Sequence, residues 1–168
     1  VKIESKALSF TTIGNRKPVG ICGSGIIDLL AKMRLNGWIN MAGELNPDAS
    51  NRIIYLAEEQ QYAAVYALAE ESASGQPLYF SQTDIRQYLD TKAAAYTMVE
   101  CLMETAGVTT DDLEHLYLSG AFTAHSDLES AITIGIFPDI PREKYCVLSN
   151  TSLDGARILL LDRSRLQE

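Results

Sequence analysis

Cysteine and histidine are scarce in this chain of 168 residues: Cys22, Cys101 and Cys146 are its thiols, and His115 and His125 its imidazoles. No C-x-x-C pair occurs, and the odd, scattered set fits reduced thiols in a cytoplasmic protein. Three separated cysteines fall short of the four thiolates of an ordinary iron–sulfur cluster. With only two histidines beside them, a structural zinc site is not expected either, and no metal ligands are assigned. A basic stripe is also missing. Lysine and arginine number 14 against 22 aspartates and glutamates, a net charge of -8, so no nucleic-acid partner is expected. No apolar run approaches the roughly 20 residues that span a bilayer, and no signal peptide is visible. Repeats and low-complexity tracts are absent. The first residue is Val1 rather than Met, as in an excised fragment or a processed chain.

What is present suits one globular domain with a core: 46% hydrophobic and 21% charged residues. Residues 6–13 suit a strand and 15–18 a turn. A glycine-rich run follows, then a helical pattern with Ile26, Leu29, Leu30 and Met33 on one face and Gly37 at its stop. Residues 43–51 are turn-rich. Residues 53–56 and 63–68 form a hairpin across 58–61, unless the second run is helical, and 72–77 form a loop. A long helix then starts at the Ser81/Asp84 capping-box pair. Its apolar residues Ile85, Leu89, Ala93, Tyr96, Val99, Met103 and Ala106 recur at steps of three or four, and Gly107 ends it. Leu116-Tyr117-Leu118 suits a buried strand. Another helix begins at Ser126 and Glu129 and is closed by Gly135 and Pro138. Residues 145–148 are a strand, and Thr151 with Asp154 caps a last helix ending near Asp162. Alternating strands and helices after Leu78 mark an α/β fold.

Three places have the composition of a ligand site. The first is Gly20-Ile21-Cys22-Gly23-Ser24-Gly25. Glycines just before a helix let backbone amides approach a phosphate, and the helix N-terminus adds partial positive charge. It is neither a Walker A loop nor the spaced dinucleotide fingerprint. A tight turn with positive φ and close helix packing would use the same residues. The second is Ser119-Gly120-Ala121-Phe122-Thr123, at the end of a strand, where ligands of open α/β sheets gather. An ordinary strand-to-helix turn has the same spacing. The third is Ser149-Asn150-Thr151, where Asn150 could hydrogen-bond a ligand or serve the turn. No catalytic residue is assigned. Gln82, Asp84, Arg86 and Lys92 suit a solvated helix face, and His125 has no partner set for a triad. Cys22 suits a small buried apolar residue, with a lowered thiol pKa at the helix start as the alternative. An acidic chain can still hold ATP, because backbone amides and a metal ion take the phosphates.

In this order the motifs resemble one family. They are Pro18-Val19-Gly20-Ile21-Cys22-Gly23-Ser24-Gly25-Ile26-Ile27-Asp28, then Ser81-Gln82-Thr83-Asp84-Ile85-Arg86 leading into Lys92-Ala93-Ala94. Leu118-Ser119-Gly120-Ala121-Phe122 follows, then Ala131-Ile132-Thr133-Ile134-Gly135-Ile136-Phe137-Pro138, then Asn150-Thr151-Ser152-Leu153-Asp154-Gly155-Ala156. Together they are similar to the C-terminal domain of the reductive activators of corrinoid proteins. The resemblance runs over nearly the whole chain and is weakest at residues 43–75.

It implies an actin- and sugar-kinase-like, ribonuclease H-like half-domain: a mixed sheet flanked by helices, with residues 40–78 as an inserted hairpin and loop region. Members of this family also carry an N-terminal [2Fe–2S] ferredoxin domain, a linker and a middle domain, none of which is in these 168 residues. They use ATP to drive one-electron reduction of corrinoid cobalt from Co(II) to Co(I) in methyltransferase systems. The resemblance therefore implies ATP and Mg²⁺ as cofactors and a corrinoid protein as partner; a homodimer belongs to the alternative in which the chain is a docking module. Gly120, Ala121, Phe122 and Thr123 fall on its adenosine loop, and residues 20–25 on the glycine turn facing the cleft. The family's Gly-Gly-Phe-Gly is altered here by Ala121 and Thr123, and Ser149 stands where it commonly has glycine. Each added side chain narrows the room for a nucleotide. A protein-docking module without hydrolysis is the alternative function, and a small-molecule kinase of the same superfamily a third.

Overall fold

A computed structural model describes residues 1–4, 7–120, 123, 126–162 and 164. Seven strands lie in three small sheets, with four helices among the described residues. The mixed α/β architecture agrees with the sequence reading, but its strands are divided among those sheets rather than joined in one. β1 (Lys2–Glu4) and β2 (Ala7–Ser9) pair antiparallel, with Ile3 opposite Leu8. The strand expected over residues 6–13 is thus shorter. The chain turns at 13–15, where Gly14 and Asn15 take positive φ.

Helix α1 (Gly23–Leu35) buries Ile27, Leu29, Leu30, Ala31 and Met33. Gly37 ends it with φ 71°. The Trp38 amide donates to the Met33 carbonyl at 2.8 Å and the Gly37 amide to that of Arg34 at 3.3 Å. This double closure satisfies two end carbonyls and drives Trp38 inward, where it is fully buried. Ile3, Leu8, Leu29, Met33, Trp38 and Ile85 meet in the core. A side chain of the Leu or Met kind contributes about 1.5–3 kcal/mol when so enclosed.

β3 (Ile53–Leu56) and β4 (Gln61–Ala67) form the expected hairpin, which removes the helical alternative, and β5 (Leu78–Ser81) adds a third antiparallel strand. Helix α2 (Gln82–Ala106) leaves β5 directly through a complete capping box between Ser81 and Asp84. At 25 residues it is about 37 Å long. Gln82 lies on no idle face: its side-chain amide donates to the Gly43 carbonyl and accepts from the Leu45 amide, both at 2.8 Å. A Cβ on Gly43, itself at φ 77°, would stand 2.3 Å from Leu89 Cδ1. Glycine therefore permits the turn to press against α2. Of the apolar stripe expected along α2, only Ile85 is fully buried, and Tyr96 and Val99 are exposed.

β6 (Leu116–Leu118) and β7 (Tyr145–Val147) form a parallel pair, and between them lies α3 (Leu128–Thr133), packed against α1. Two expected caps are replaced by neighbours. Asp127, not Ser126, caps α3 by accepting from the Ser130 amide. Asn150, not Thr151, caps α4 (Thr151–Leu161) by accepting from the Leu153 amide. In both cases the cap stands three residues before the amide it reaches, as that geometry requires. Among the described residues no helix is long and apolar enough to cross a membrane.

Candidate functional site

The N-terminus of α1 differs from the other helix starts. Side chains of Ser81, Asp127 and Asn150 cap α2, α3 and α4. Cys22 precedes α1 in an extended conformation, makes no side-chain cap bond, and the first turn carries no acidic residue. The first amides of a helix have no intrahelical acceptor; here no carboxylate, amide or hydroxyl caps them, and the Cys22 thiol sulfur is the acceptor near the Gly25 amide. They open on a cavity of about 550 Å³ whose lining includes Arg16, Gly20, Cys22, Ser24, Gly25 and Asp28. Uncapped amides, the positive end of the helix dipole and a guanidinium together favour an anion. Lys17 also lines the cavity, although its ammonium donates to the Glu70 carbonyl at 2.7 Å.

The glycines of this turn have separate causes. None of Gly20, Gly23 and Gly25 takes positive φ, so the left-handed turn that the sequence allowed is not what they provide. A Cβ on Gly25 would stand 2.9 Å from Ile21 Cγ1, which makes Gly25 a packing residue, whereas a Cβ on Gly20 meets nothing within 4 Å. Cys22 is exposed rather than buried. Its thiol lies 3.3 Å from the Ser24 hydroxyl. That hydrogen bond, followed by one from the Gly25 amide, holds the thiol below its ordinary pKa.

Asp28 lines the same cavity. One carboxylate oxygen, Oδ1, is buried with no hydrogen-bond partner, and Oδ2 lies 3.6 Å from the Val1 ammonium. Its position one turn into α1, on the cavity side, could have been read from the motif, yet sequence reasoning gave it no role. Arg16 was likewise passed over as a turn residue.

The second and third sequence candidates lie side by side at the carboxyl ends of β6 and β7. The Gly120 amide donates to the Ser149 carbonyl at 3.4 Å. The Ser119 hydroxyl donates to that carbonyl at 3.1 Å, makes a short contact with the Thr151 hydroxyl, and accepts from the Thr151 amide at 3.3 Å. Gly120 has φ 111°, and among the described residues no atom lies within 4 Å of a Cβ position there. Two side chains that were expected to crowd a nucleotide turn back on their own chain. Thr123 Oγ1 donates to the Gly120 carbonyl at 3.0 Å, and Ser149 Oγ to Asp154 Oδ2 at 2.6 Å. Asn150 is engaged as the α4 cap, so its side-chain oxygen is committed. Ala121, Phe122 and His125 lie outside the described residues.

The structure thus joins the first candidate into one cavity and the other two into one strand-end crevice. The described lining of the 550 Å³ cavity includes none of Ser119, Gly120, Thr123 and Asn150. Another cavity, about 620 Å³, shares Val1, Phe10, Thr11 and Asp28 with it and reaches Lys32 and Asp127.

Comparison with known proteins gives this geometry a context. Residues 1–168 match the family described as the C-terminal domain of RACo, the ASKHA domain. Over 97% of its length the chain is 31% identical to the corrinoid activation enzyme RamQ of Eubacterium limosum, and it covers 28% of that protein. It is 29% identical to the [Co(II) methylated amine-specific corrinoid protein] reductase of Methanosarcina barkeri, over 89% of the chain and 24% of the relative. A solved structure, of a reductive activator for corrinoid, iron–sulfur protein, superposes with a TM-score of 0.83 at 32% identity. It covers 93% of this chain and 25% of the other. The chain therefore spans about a quarter of the length of these relatives.

Proposed function

The chain belongs to the family of the C-terminal ASKHA domain of RACo, and from that premise we propose that it is one wall of the nucleotide cleft in an ATP-dependent activator of a corrinoid protein. The observation that carries this reading is the uncapped N-terminus of α1, opening with Arg16 onto a cavity of about 550 Å³. In this reading the amides of residues 23–25 and the Arg16 guanidinium hold phosphate oxygens. The bare main chain at Gly120 leaves room for the nucleoside, with Ser119 and Thr123 bracing that bend. Asp28 fits Mg²⁺: its buried, unpartnered Oδ1 is a hard oxygen donor of the type that cation prefers, directly or through a water.

The activity belongs to the longer protein. Closure around ATP would alter the surface that meets the corrinoid protein, so that hydrolysis is coupled to docking. The electron that takes Co(II) to Co(I) would come from a [2Fe–2S] domain outside residues 1–168. In this reading residues 40–78 are an insert on the half-domain, and the Gln82 hydrogen bonds to Gly43 and Leu45 tie its first turn to α2. The test is equilibrium binding of Mg²⁺–ATP to the gene-encoded polypeptide that contains these residues. Saturable binding is expected, weakened about tenfold or more by Ser24→Asp, which sets a negative charge at the α1 terminus. No binding at millimolar nucleotide would remove the ATPase reading and leave the docking module.

A further inference from the structure

The hairpin of β3 and β4 ends in a tip where exposed aromatic rings meet uncompensated negative charge. Between Ile53 and Ile85 the sequence holds no lysine or arginine, while Glu58, Glu59, Glu70, Glu71 and Asp84 fall within it. Glu58 and Glu59 are exposed at the tip, and neither belongs to an ion pair among the described residues. Tyr55 and Tyr62 stand opposite each other in the ladder, so both rings lie on one side of it. Their centroids are 5.2 Å apart in an edge-to-face arrangement. They are 56% and 38% exposed. The tip is also held in place. The Tyr79 hydroxyl donates to Glu59 Oε1 at 3.1 Å, and the Gln61 side-chain amide donates to Oε2 at 2.6 Å. The Gln61 side-chain oxygen accepts from the Thr83 amide at 2.9 Å and from its hydroxyl at 2.7 Å, which ties the tip to the first turn of α2. The Tyr79 phenol is held above its ordinary pKa by its hydrogen bond to Glu59 and that carboxylate's charge, then by desolvation and the charges of Asp84 and Glu58.

Such a surface has the chemistry that recognises a guanidinium. The planar cation of arginine stacks on aromatic faces and forks onto carboxylates, whereas the ammonium of lysine acts mainly as a point charge. Rings that already pack against each other lose little freedom on binding, and tyrosine is enriched at the energetic centres of protein interfaces. We infer that the β3–β4 tip, through Tyr55, Tyr62, Glu58 and Glu59, is a docking surface for a protein partner that presents arginine side chains. Charge selects that occupant. A nucleic acid or an anionic membrane surface is repelled by these carboxylates and by a chain of net charge -8. A second copy meeting tip to tip across a two-fold axis brings the same carboxylates to the same place. Arg52, at the base of the hairpin, cannot serve as that copy's cation, because Glu71 already holds it at 3.3 Å. The proposed role in corrinoid activation assigns the partner no surface on this chain. The tip supplies one, and docking there does not depend on nucleotide binding.

The experiment uses the gene-encoded polypeptide without nucleotide and three peptide probes. One alternates arginine and leucine, and the others carry lysine or glutamate in place of arginine. Hydroxyl-radical footprinting reads the exposed tyrosine rings, and calorimetry at low salt reads affinity. The arginine peptide is expected to shield Tyr55 and Tyr62 but not Tyr117, and to bind at least about fivefold more tightly than the lysine peptide. The glutamate peptide is expected not to bind. Glu58→Lys should weaken the arginine peptide about fivefold or more. Glu104→Lys, an equal change of net charge at another exposed position, should weaken it less than about twofold. Tyr55→Ser should erase the preference for arginine over lysine. Shielding away from the tip, or equal losses from the two charge reversals, would assign binding to net charge alone and overturn the inference. Tip rings already shielded in the dilute, peptide-free protein overturn it too. So does shielding without peptide that rises with protein concentration, which would give the surface to a second copy.

Discussion

The half of the molecule around α1 and the half around α4 are built on different terms. In the first, Trp38, Leu29, Leu30, Met33 and Ile85 are essentially without solvent contact, and two strand pairs, a capping box and a glycine-closed helix end converge on them. In the second, a two-stranded parallel sheet and an eleven-residue helix bury Leu118 alone, leave Leu116, Tyr145 and Cys146 half-buried, and expose Leu153, Leu160 and Leu161. The first half encloses its apolar side chains, whereas the second leaves most of its own exposed. Both candidate binding sites follow this division: the α1 cavity is a walled concavity, and the Gly120 bend has no described atom within 4 Å of a Cβ position.

Core truncation should break the contrast most visibly if it is wrong. Trp38→Ala is expected to cost about 3–5 kcal/mol in chemical denaturation, while Leu160→Ser, at a residue 85% exposed, should stay within about 0.5 kcal/mol in the 168-residue chain. Comparable losses would mean that the two halves do not differ. A smaller effect tests the walled site. Asp28→Asn should weaken ATP binding several-fold when Mg²⁺ is present and little when it is chelated, as read by calorimetry; equal weakening in both would detach Asp28 from the metal.

Asp127 sharpens the comparison at the seam, because α3 rests on α1. Its hydrogen bonds from the Ser130 hydroxyl and then the Ser130 amide hold its carboxyl below the ordinary value of 3.8. The folded state thus binds that proton less readily than the unfolded chain. The resulting stability is complete above about pH 4 and fades as pH falls through the folded-state value. Asp127→Ala should remove about 1 kcal/mol at neutral pH and flatten the acid limb of the stability curve. An acid limb unchanged by the substitution would refute the assignment. The smallest effect is at Cys22. Iodoacetamide should modify it with a midpoint below that of an ordinary thiol, and Ser24→Ala should move that midpoint upward, since the Ser24 hydroxyl is the leading cause of the shift.

Periodicity and punctuation made much of the fold legible. The α1 face, the Gly37 stop, the hairpin and the Ser81/Asp84 start of α2 all follow from local pattern. The caps of α3 and α4 were misassigned by one residue, because Ser126, Asp127, Asn150 and Thr151 are all competent caps and the choice depends on which side chain meets the third amide. The glycine turn was legible as the segment before α1, but the reason for its glycines was not. Gly25 yields to Ile21, a contact between residues four positions apart that no rule of turn composition contains. The place of Asp28 on α1 was legible, but not its unpartnered carboxylate oxygen, which is a property of its surroundings.

Sequence by itself determined most of the helices and strands, where most of them end, and that glycine-bearing motifs stand at the start of α1 and at the end of β6. These depend on short-range sterics, capping and periodicity, which act within a few residues. Only the tertiary structure decided that α1 is left uncapped over a cavity, that the Ser119 and Ser149 segments interlock, and that the long stripe on α2 is mostly bare. Those facts depend on which distant elements meet, and contact between residues 30 or more apart in the chain is set by how the surfaces pack, not by local preference.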